Sequence, residues 1–491
     1  MTSADAIGVL AVAAPLGPVV AACLATLPRS PEGIDRAGRA AGVAAGALVL
    51  ALAILALTLG DTPATGAWWS VDPAGGLFLG VIGAVGTLSV LASPAYLRQS
   101  ARGLTGAAAS RRVYWAGLHL FWATLVAVPL VDNLGVAWIL IEATTAASAV
   151  LVAHSGRQSA LEAGWKYLVL TSVGLTITLL GIVVVYAGSS HGGGTLAVLD
   201  WRSLVQTSAG LDHDVALAGF LLVLIGLAAK VGWAPVHNWL PDAHSEAPPP
   251  VSALLSAALL PTVALVAWRL ALALRPAVGS GAVRAVFVGF GLVSLAVAVP
   301  FLWRALPWKR LLAYSSLEHM GVIALAIGFQ HPLATAGALI HVAGHAAAKS
   351  LGFYATTPML RYQPAAGRRP PRGLAQTSPA LAAAVGVSLG SLAGLPPSPL
   401  FVSELLVLLG GISAGMTWAA VVAAMLLSLG FLGLAHVLVE GLAGPRSGRR
   451  PSTSRGTRQI AILGAIATVA LIALLAAAYA IPDSALVRVF A

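Results

Sequence analysis

The sequence predicts an all-α polytopic membrane protein with about 14 transmembrane helices, two inverted five-helix repeats and two discontinuous helices. Of the 491 residues, 58% are hydrophobic and only 9% are charged, and the mean hydropathy is +0.89. A soluble domain does not have enough polar surface to cover so apolar a chain. Apolar runs of roughly 20 residues, the length that crosses about 30 Å of hydrocarbon, recur along the sequence.

Fourteen apolar runs, separated by charged or Gly/Pro-rich breaks, are the predicted membrane-spanning helices. The twelfth run is too long and too rich in proline for one straight helix, so we expect a break within it. The approximate bounds of the runs are 6–28, 40–60, 76–96, 113–131, 133–154, 165–188, 214–240, 250–272, 282–303, 311–330, 334–357, 377–411, 416–440 and 459–481.

The basic side chains predict which loops face the cytoplasm, because cytoplasmic loops hold an excess of Lys and Arg. Twenty of the 28 Lys and Arg residues fall on one side of the predicted helices, and only Arg202, Arg275, Arg284 and Arg488 fall on the other. We therefore expect a multi-pass protein of the cell inner (plasma) membrane with both termini extracytoplasmic. Since the net charge of +11 resides in these loops, it does not indicate nucleic-acid binding.

The four remaining basic residues, Lys166, Lys230, Arg269 and Lys349, lie inside apolar runs or at their margins. Three of them are lysines, from a chain that has only four. Arginine stays protonated, whereas the pKa of lysine moves readily on burial. This partition favours lysines that exchange protons within the membrane, although a coding bias towards arginine in loops gives the same pattern. Lys166, at the cytoplasmic start of its run, fits either a snorkelling anchor or a relay group.

Glu142 and Lys230 lie near the middle of the fifth and seventh runs, where an ionised side chain is costly without a partner. Pro235 follows Lys230 by five residues and removes a helical hydrogen bond. A broken helix beside a buried lysine is typical of transport sites. The alternative is a permanent salt bridge that locks two helices together.

The eleventh run contains His341, His345 and Lys349 at positions i, i+4 and i+8, on one face of the predicted helix. The three residues span about 12 Å along the helix axis, which suits a ladder for protons between imidazoles and an amine. Histidines one turn apart on one helix do not suit bis-histidine haem ligation. The alternative is that they are core histidines with interhelical hydrogen bonds.

The twelfth run is interrupted at Pro396, Pro397 and Pro399 and then carries Glu404. This second predicted break lies five spans after the first, and each has an ionisable group close by. The spacing predicts two repeated units, inverted because five is odd, that form two half-channels meeting near the midplane. The predicted units are N-terminal helices 1–3 (1–112), helices 4–8 (113–272), helices 9–13 (282–440) and helix 14 (459–491).

Further ionisable groups are secondary candidates. His237, Asp242 and His244 belong to a segment that fits a proton entry funnel or a solvated turn, and Glu318 and His319 lie where packing roles are expected. The single cysteine, Cys23, excludes a Cys-ligated zinc or an iron–sulfur cluster. We predict no cofactor, no metal site and no redox chemistry within the chain, so any electron carrier belongs to another subunit.

Three segments resemble the antiporter-like proton-translocating subunits of respiratory complex I, Mrp-type cation/proton antiporters and membrane-bound group 4 [NiFe] hydrogenases. The resemblance covers nearly the whole chain, and the stretch WILIEATTAASAVLV is most similar to hydrogenase-4 component F. The three segments are KVGWAPVHNWLPDAHSEAPPPVSALLSA, RLLAYSSLEHMGVI and HVAGHAAAKSLGFY.

The resemblance implies that Glu142 pairs with Lys230, that Lys349 connects the half-channels with His341 and His345, and that Glu404 ends the route. It also implies a redox-driven complex with other membrane subunits and a peripheral redox module on the cytoplasmic side. The family often has a polar group in the eighth helix where this chain has Pro261. The rival interpretations are an Mrp-like Na⁺/H⁺ or K⁺/H⁺ antiporter subunit, a membrane subunit of an inorganic-carbon uptake complex, and a structural scaffold.

Overall fold

The computed structural model describes residues 3–58, 64–66, 68–100, 108–189, 195–361 and 372–445, which are mostly helical. The fourteenth predicted run, 459–481, lies outside the described residues. The α-helices of the described part are α1 (Ser3–Thr26), α2 (Pro31–Thr58), α3 (Pro73–Ser100), α4 (Ala108–Ala127), α5 (Leu134–Val152), α6 (Gln158–Ser189), α7 (Trp201–Thr207), α8 (His213–Val231), α9 (Leu240–Glu246), α10 (Pro249–Ala253), α11 (Leu260–Leu302), α12 (Trp308–Phe329), α13 (Pro332–Ala355), α14 (Leu374–Thr377), α15 (Pro379–Leu392), α16 (Pro399–Ser413) and α17 (Thr417–Ala443).

Other regular structure in the described residues is short. Strands β1 (Ala64–Thr65) and β2 (Ser70–Val71) pair antiparallel. One π-helical segment, Leu254–Leu259, joins α10 to α11. The 3₁₀ segments are Val128–Leu130, Ala153–Ser155, Leu196–Leu199, Ser208–Gly210 and Pro358–Arg361.

Ten helical segments of the described residues are long and apolar enough to cross a membrane, so the chain is a polytopic membrane protein. Two predicted spans, 250–272 and 282–303, belong to one segment from Pro249 to Leu302, which breaks only at Gly279 (φ 79°, ψ 151°). Glycine tolerates this positive φ, so a kink replaces the predicted loop. Helix α13 is not among the ten, because its histidines and lysine lower its mean hydropathy.

Two helices are interrupted where the sequence predicts breaks. Helix α8 ends at Val231, and Gly232 adopts a left-handed conformation (φ 79°) before α9 begins. The break therefore starts three residues before Pro235, because a left-handed glycine ends the hydrogen-bond ladder first. The second interruption separates α15 from α16 and contains the left-handed Gly394 and the prolines 396 and 397.

The chain passes Pro261 with a change of helix type. The π-helical turn Leu254–Leu259 comes immediately before Pro261, which is the second residue of α11. Proline lacks an N–H and its ring clashes with the carbonyl of residue i−4 in an α-helix, and a wider turn relieves both problems. The eighth span is thus continuous but locally widened next to Pro261, where the family often has a polar group.

Helix α12 is the centre of the bundle. All of its residues from Leu311 to Phe329 are buried, and it packs on α9, α11, α13 and α16. A helix hydrophobic on every side is expected when it is surrounded by other helices. Polar side chains on α12 therefore face neighbouring helices rather than lipid.

Glycines bring α6 and α8 into close contact. A Cβ atom at Gly181 would lie 2.6 Å from the backbone nitrogen of Val223, and one at Gly174 would lie 3.0 Å from the Gly226 carbonyl oxygen. Small residues allow such close approach between helices in a membrane. This contact places the inner face of α6 against the last turn of α8.

Candidate functional site

Lys230 lies in the last turn of α8 and is fully buried. Its ammonium donates to Thr145 Oγ1 on α5 at 2.7 Å and to the Tyr167 hydroxyl on α6 at 2.6 Å. The Tyr167 hydroxyl is also 2.8 Å from Ser148 Oγ. Lys230 is therefore held by neutral hydroxyl groups from two helices.

Glu142 is not in direct contact with Lys230, contrary to the expected ion pair. Its Oε1 accepts a hydrogen bond from Ser172 Oγ at 2.6 Å, and Oε2 has no partner among the described residues. Glu142 lies one turn of α5 before Thr145 and is partly exposed, while remaining within electrostatic range of Lys230. The lysine is already satisfied by hydroxyls, so the carboxylate acts on it at a distance.

The segment after Lys230 is not a solvated loop throughout. His244 lies in α9 and is fully buried, with Nδ1 donating to the Leu240 carbonyl at 2.9 Å and Nε2 without a partner among the described residues. The same helix turns Asp242 outward to a salt bridge with Arg310 at 3.1 Å. Asp242 and His244 face different directions because they are two residues apart on the same helix. His237, before α9, is partly buried and its Nδ1 has no partner in the described part of the chain.

Two lysines near the first turns of α6 and α12 differ in environment. Lys166 is 45% exposed and pairs with Glu162 one turn away and with Asp242 at 3.6 Å, which favours the anchor interpretation. Lys309, assigned to a basic loop from the sequence, is buried in the first turn of α12. Its ammonium donates to the carbonyls of Ser245, at 2.7 Å, and Ala247, where α9 ends. A cation at a helix C-terminus satisfies free carbonyls.

A pair of serines lies next to the position of Pro261. Ser256, in the π-helical turn, is 2.8 Å from Ser316 Oγ on α12. Ser316 donates to the Leu312 carbonyl at 2.9 Å, the same carbonyl that accepts from Lys349. Near Pro261, a buried hydroxyl contact therefore links α12 to the widened turn.

Lys349 is fully buried on α13 and faces α12. Its ammonium donates to the Leu312 carbonyl and to Ser315 Oγ. Glu318 is also buried and lies within electrostatic range, yet the two do not form an ion pair among the described residues. The Glu318 carboxylate occupies space against Gly430 of α17, where a side chain would collide with it.

Three histidines form a cluster between α12 and α13. The ring centroid of His319 lies 5.0 Å from that of His341 and 5.2 Å from that of His345, and all three are fully buried. His319 Nδ1 is 3.0 Å from His341 Nε2. His319, expected only to pack near the inner interface, is the central member because it projects from the enclosed helix α12 towards the histidine face of α13.

The hydrogen bonds of this cluster have a direction. Ser403 Oγ donates its single proton to the Leu400 carbonyl at 2.7 Å and is 2.9 Å from His341 Nδ1. We therefore assign the proton on that nitrogen to His341, which leaves His341 Nε2 to accept from His319 Nδ1. The resulting order of donation is His319, His341, Ser403, Leu400.

Glu404, on the first turns of α16, meets the other side of this cluster. One donor atom each of His319, His341 and Glu404 lie within 4.8 Å of one another. The Glu404 carboxylate also contacts Gly394 in the helix break, where a Cβ would lie 2.8 Å from its oxygen. The prolines at 396, 397 and 399 thus end one helix and start the next so that Glu404 faces the histidines.

The site contains residues that the sequence analysis did not identify. Thr145 and Tyr167 bond Lys230, Ser315 bonds Lys349 and Ser403 bonds His341. Ser256 and Ser316 bond each other beside the Lys349 contact. A hydroxyl in an apolar helix most often bonds its own backbone. Their positions in the sequence were the available signal. Each of these residues lies within four residues of an ionisable group or on a helix face that packs against a helix carrying one.

Comparison with known proteins identifies the fold and the family. The family model described as NADH:quinone oxidoreductase/Mrp antiporter, transmembrane, matches residues 131–430, more than half of the chain. A hydrogenase-4 component F homolog from Methylacidiphilum infernorum is 34% identical over 328 residues, which cover 66% of this chain and 68% of that protein.

Two solved structures share the fold over almost the full chain. A chain of the Mrp complex from Dietzia sp. DQ12-45-1b superposes with a TM-score of 0.81 at 21% identity, covering 100% of this chain and 97% of that one. A chain of respiratory complex I from Thermus thermophilus gives a TM-score of 0.78 at 22% identity, covering 98% and 100%. With the family match over residues 131–430, the chain belongs to the family of antiporter-like membrane subunits shared by NADH:quinone oxidoreductases and Mrp antiporters.

Proposed function

We propose that this chain is a proton-translocating subunit of a redox-driven membrane complex of the hydrogenase or complex I type. The observation that carries the proposal is a buried polar series through the middle of the bundle. We define this series as the buried residues Lys230, His244, Ser256, Lys349, His345, His319 and His341 together with Glu404, which is partly exposed at its end. Ionisable groups inside a membrane protein are costly and are typical of ion pathways.

The surroundings of the two lysines favour transport over a structural lock. Lys230 and Lys349 are fully buried and bonded to neutral oxygens, and neither forms an ion pair within the described part of the chain. A lysine locked to a carboxylate stays charged, because removing its proton breaks the pair. A lysine held only by hydroxyl and carbonyl oxygens can gain and lose a proton with the same neighbours in place.

The histidine cluster provides the next step. His319 donates to His341, which in turn donates to Ser403, and Ser403 donates to the Leu400 carbonyl. The second ring nitrogen of His319, Nε2, is buried without a partner among the described residues. When His319 takes up a proton and His341 releases one, the hydrogen bond between the two rings reverses its direction. No heavy atom has to move far for this exchange. Lys349 and His345 lie at the near end of the cluster and Glu404 at the far end, so we propose transfer from Lys349 through the histidines to Glu404.

Coupling is proposed to come from outside the chain. We propose that a redox event in a peripheral module on the cytoplasmic side, together with other membrane subunits, shifts the influence of Glu142 on Lys230. The position of Glu142 supports this role, since the residue is partly exposed on α5 while its Oε2 faces the interior without a partner among the described residues. The related proteins include a hydrogenase-4 component F homolog and a chain of respiratory complex I, which also supports a redox complex.

The finer topology belongs to the same proposal. We propose 14 spans in a plasma membrane, with both termini extracytoplasmic and spans 4–8 and 9–13 as inverted repeats. The support is that the broken helix is the fourth span of each unit and that Arg157, Lys166, Lys309 and Arg310 gather around α9 on one side. Cysteine labelling from each side of the membrane tests it: labelling of a Cys at 202 and a Cys at 304 from the same side contradicts it.

An Mrp-like cation/proton antiporter is the second candidate. The Glu142 carboxylate lies beside the Ser172 hydroxyl, and its Oε2 is buried without a hydrogen-bond partner among the described residues. Carboxylate and hydroxyl oxygens are ligands that suit hard cations such as Na⁺ or K⁺. This candidate predicts that proton movement requires Na⁺ or K⁺ on the opposite side of the membrane. The redox candidate predicts proton movement driven by electron transfer in the absence of both ions.

The test is purification of the intact complex from its native membrane, identification of its subunits by mass spectrometry, and reconstitution in proteoliposomes with a pH-sensitive dye. The proposal expects a redox subunit in the complex and proton movement on addition of electron donor. Copurification of other Mrp-type subunits without a redox chain, with Na⁺-dependent proton movement, contradicts the redox proposal. Wild-type vesicles that move neither protons nor cations contradict both.

A further inference from the structure

We propose that His319, His341 and Glu404 form a Zn²⁺ site whose occupancy blocks proton transfer through the histidine cluster. The three residues come from α12, α13 and α16, and one donor atom from each lies within 4.8 Å of the others. Imidazole and carboxylate groups are zinc ligands in proteins, and two histidines with one glutamate are a ligand set found in zinc sites. The sequence predicts no metal site, because these residues are 22 and 63 positions apart.

The distances suit zinc after a small movement. Tetrahedral zinc holds its ligand atoms about 3.3–3.5 Å apart, since Zn–N and Zn–O bonds are about 2.0–2.2 Å. His319 Nδ1 and His341 Nε2 are already 3.0 Å apart. The Glu404 side chain, which also contacts Gly394, brings an oxygen within 4.8 Å of both histidine nitrogens, and its rotation is the movement that the site requires.

The outer contacts favour metal binding by His341. Its Nδ1 donates to Ser403 Oγ, which leaves the lone pair on Nε2 directed at the cluster. A metal-bound histidine typically donates its second ring N–H to an oxygen in this way, and that contact fixes its tautomer. Ser403 is itself fixed by donation to the Leu400 carbonyl, so the ligand is held ready without a metal.

His345 provides an independent observation that points to a ligand. It is fully buried, and neither of its ring nitrogens has a hydrogen-bond partner among the described residues. Its ring centroid lies 5.2 Å from that of His319. A buried polar atom without a partner is costly, and a hydrogen bond to a metal-bound water would relieve that cost.

Binding of zinc would interrupt the hydrogen-bonded order of the cluster at its centre. Zinc would take the lone pair of His341 Nε2, the atom that accepts from His319 in the absence of metal. His319 would bind through Nδ1 after the proton on that atom has moved to Nε2, which has no partner among the described residues. The two rings then share a metal and can no longer exchange a proton. This consequence rests on the proposed function, whereas the binding itself does not.

The test uses the purified intact complex and Zn²⁺ as the probe, with Mg²⁺ as the comparison ion because it prefers six oxygen ligands. Zinc affinity is measured by competition with a chromophoric chelator, and the ligands are identified by X-ray absorption at the zinc edge. We expect one tight site with two imidazoles and at least one oxygen, and no competition by Mg²⁺. A zinc spectrum without imidazole ligands overturns the proposal.

Variants distinguish this cluster from surface sites. Glu404→Gln and His341→Gln are expected to weaken zinc binding at least 10- to 100-fold, the range seen for loss of even outer contacts. His436→Gln, at an exposed histidine of α17, is the matched control and should leave the affinity unchanged. Because Glu404 is at the partly exposed edge of the cluster, its variant remains informative if the buried histidine variant does not assemble. Unchanged affinity in Glu404→Gln overturns the assignment.

The transport measurement separates the two proposals. Zinc at concentrations that fill the site should stop proton movement in wild-type proteoliposomes, and Glu404→Gln or His341→Gln should lose the tight binding. Zinc bound by the three residues without inhibition overturns the blocking step alone. Vesicles that move no protons even without zinc contradict the proposed function, while the spectroscopic result still decides the metal site.

Discussion

Lys230 and Lys349 differ in the groups that surround them. Lys230 is enclosed by hydroxyls of α5 and α6 and lies within range of a partly exposed carboxylate. Lys349 is bonded to one hydroxyl and one carbonyl and continues into three buried histidines. The first environment suits a group that stores a proton under external control. The second suits a group that passes it on.

Helix geometry explains this difference. Lys230 ends α8 at a break, so only the neighbouring helices supply its partners. Lys349 lies in the continuous helix α13, where His341 and His345 share its face and α12 adds His319. An interrupted helix isolates an ionisable group, whereas a continuous one aligns several of them.

The largest effect is expected for Lys230→Gln. Glutamine keeps hydrogen bonding to Thr145 and Tyr167 but cannot carry the proton, so we expect proton movement to fall about 100-fold or more, the scale of proton-transfer groups in enzymes. The measurement is the dye response of reconstituted complex. Lys166→Gln, which changes the exposed lysine, should retain wild-type activity.

A smaller effect is expected for His341→Gln, because the glutamine amide can hold the cluster together while water bridges part of the gap. We expect a decrease of about 10- to 100-fold in proton movement. His119→Gln is the matched control, since His119 is equally buried but bonds only Gly38 in the N-terminal helices. Equal losses in both variants would mean that burial, rather than position in the cluster, determines the effect.

Ser403→Ala tests the direction of the histidine hydrogen bonds. Without the Ser403 acceptor, His341 no longer favours the tautomer that carries its proton on Nδ1. The lost free-energy difference between the two tautomers is about 1–2 kcal/mol. We expect proton movement to decrease by about 3- to 10-fold, with full assembly of the complex. Ser428→Ala is a control, since Ser428 bonds only its own helix. Wild-type rates in Ser403→Ala would remove the directional role.

The smallest effect is expected for Tyr167→Phe. The substitution removes one hydrogen bond to Lys230, while the ring and the Thr145 contact remain. Because a lost hydrogen bond to a charged group is worth about 1.5–3 kcal/mol before water replaces it, we expect a decrease in rate of only about 2- to 5-fold. A loss as large as that of Lys230→Gln would show that Tyr167 itself carries the proton.

Much of the fold follows from hydropathy, because a membrane leaves few solutions other than helices of about 20 residues. The breaks after Lys230 and around Pro396 were predictable from glycine and proline. The kink at Gly279 was not, since the flanking residues there read as a short loop. The widened turn before Pro261 was also not predictable, because the sequence marks a proline but not how the helix adapts to it.

The candidate site was only partly predictable. Lys349, His341 and His345 lie on one face of α13 that packs against α12, as their spacing requires. The positions of His319 and His244 depend on which face of a buried helix meets which neighbour, and α12 has no polar side to reveal it. The expected contact between Glu142 and Lys230 is not formed. The sequence could not reveal this, because the spacing of residues within two separate helices does not determine how those helices are aligned with each other.

The most direct measurement of the central claim is proton movement by complex carrying Lys349→Arg, with Lys166→Arg as the control. Arginine keeps the positive charge but does not release its proton, because its pKa is about 12 or higher. If Lys349 passes protons to the histidines, Lys349→Arg complex assembles and its proton movement is lost, while Lys166→Arg behaves as wild type. Wild-type proton movement by Lys349→Arg would contradict the account, because a fixed charge would then suffice.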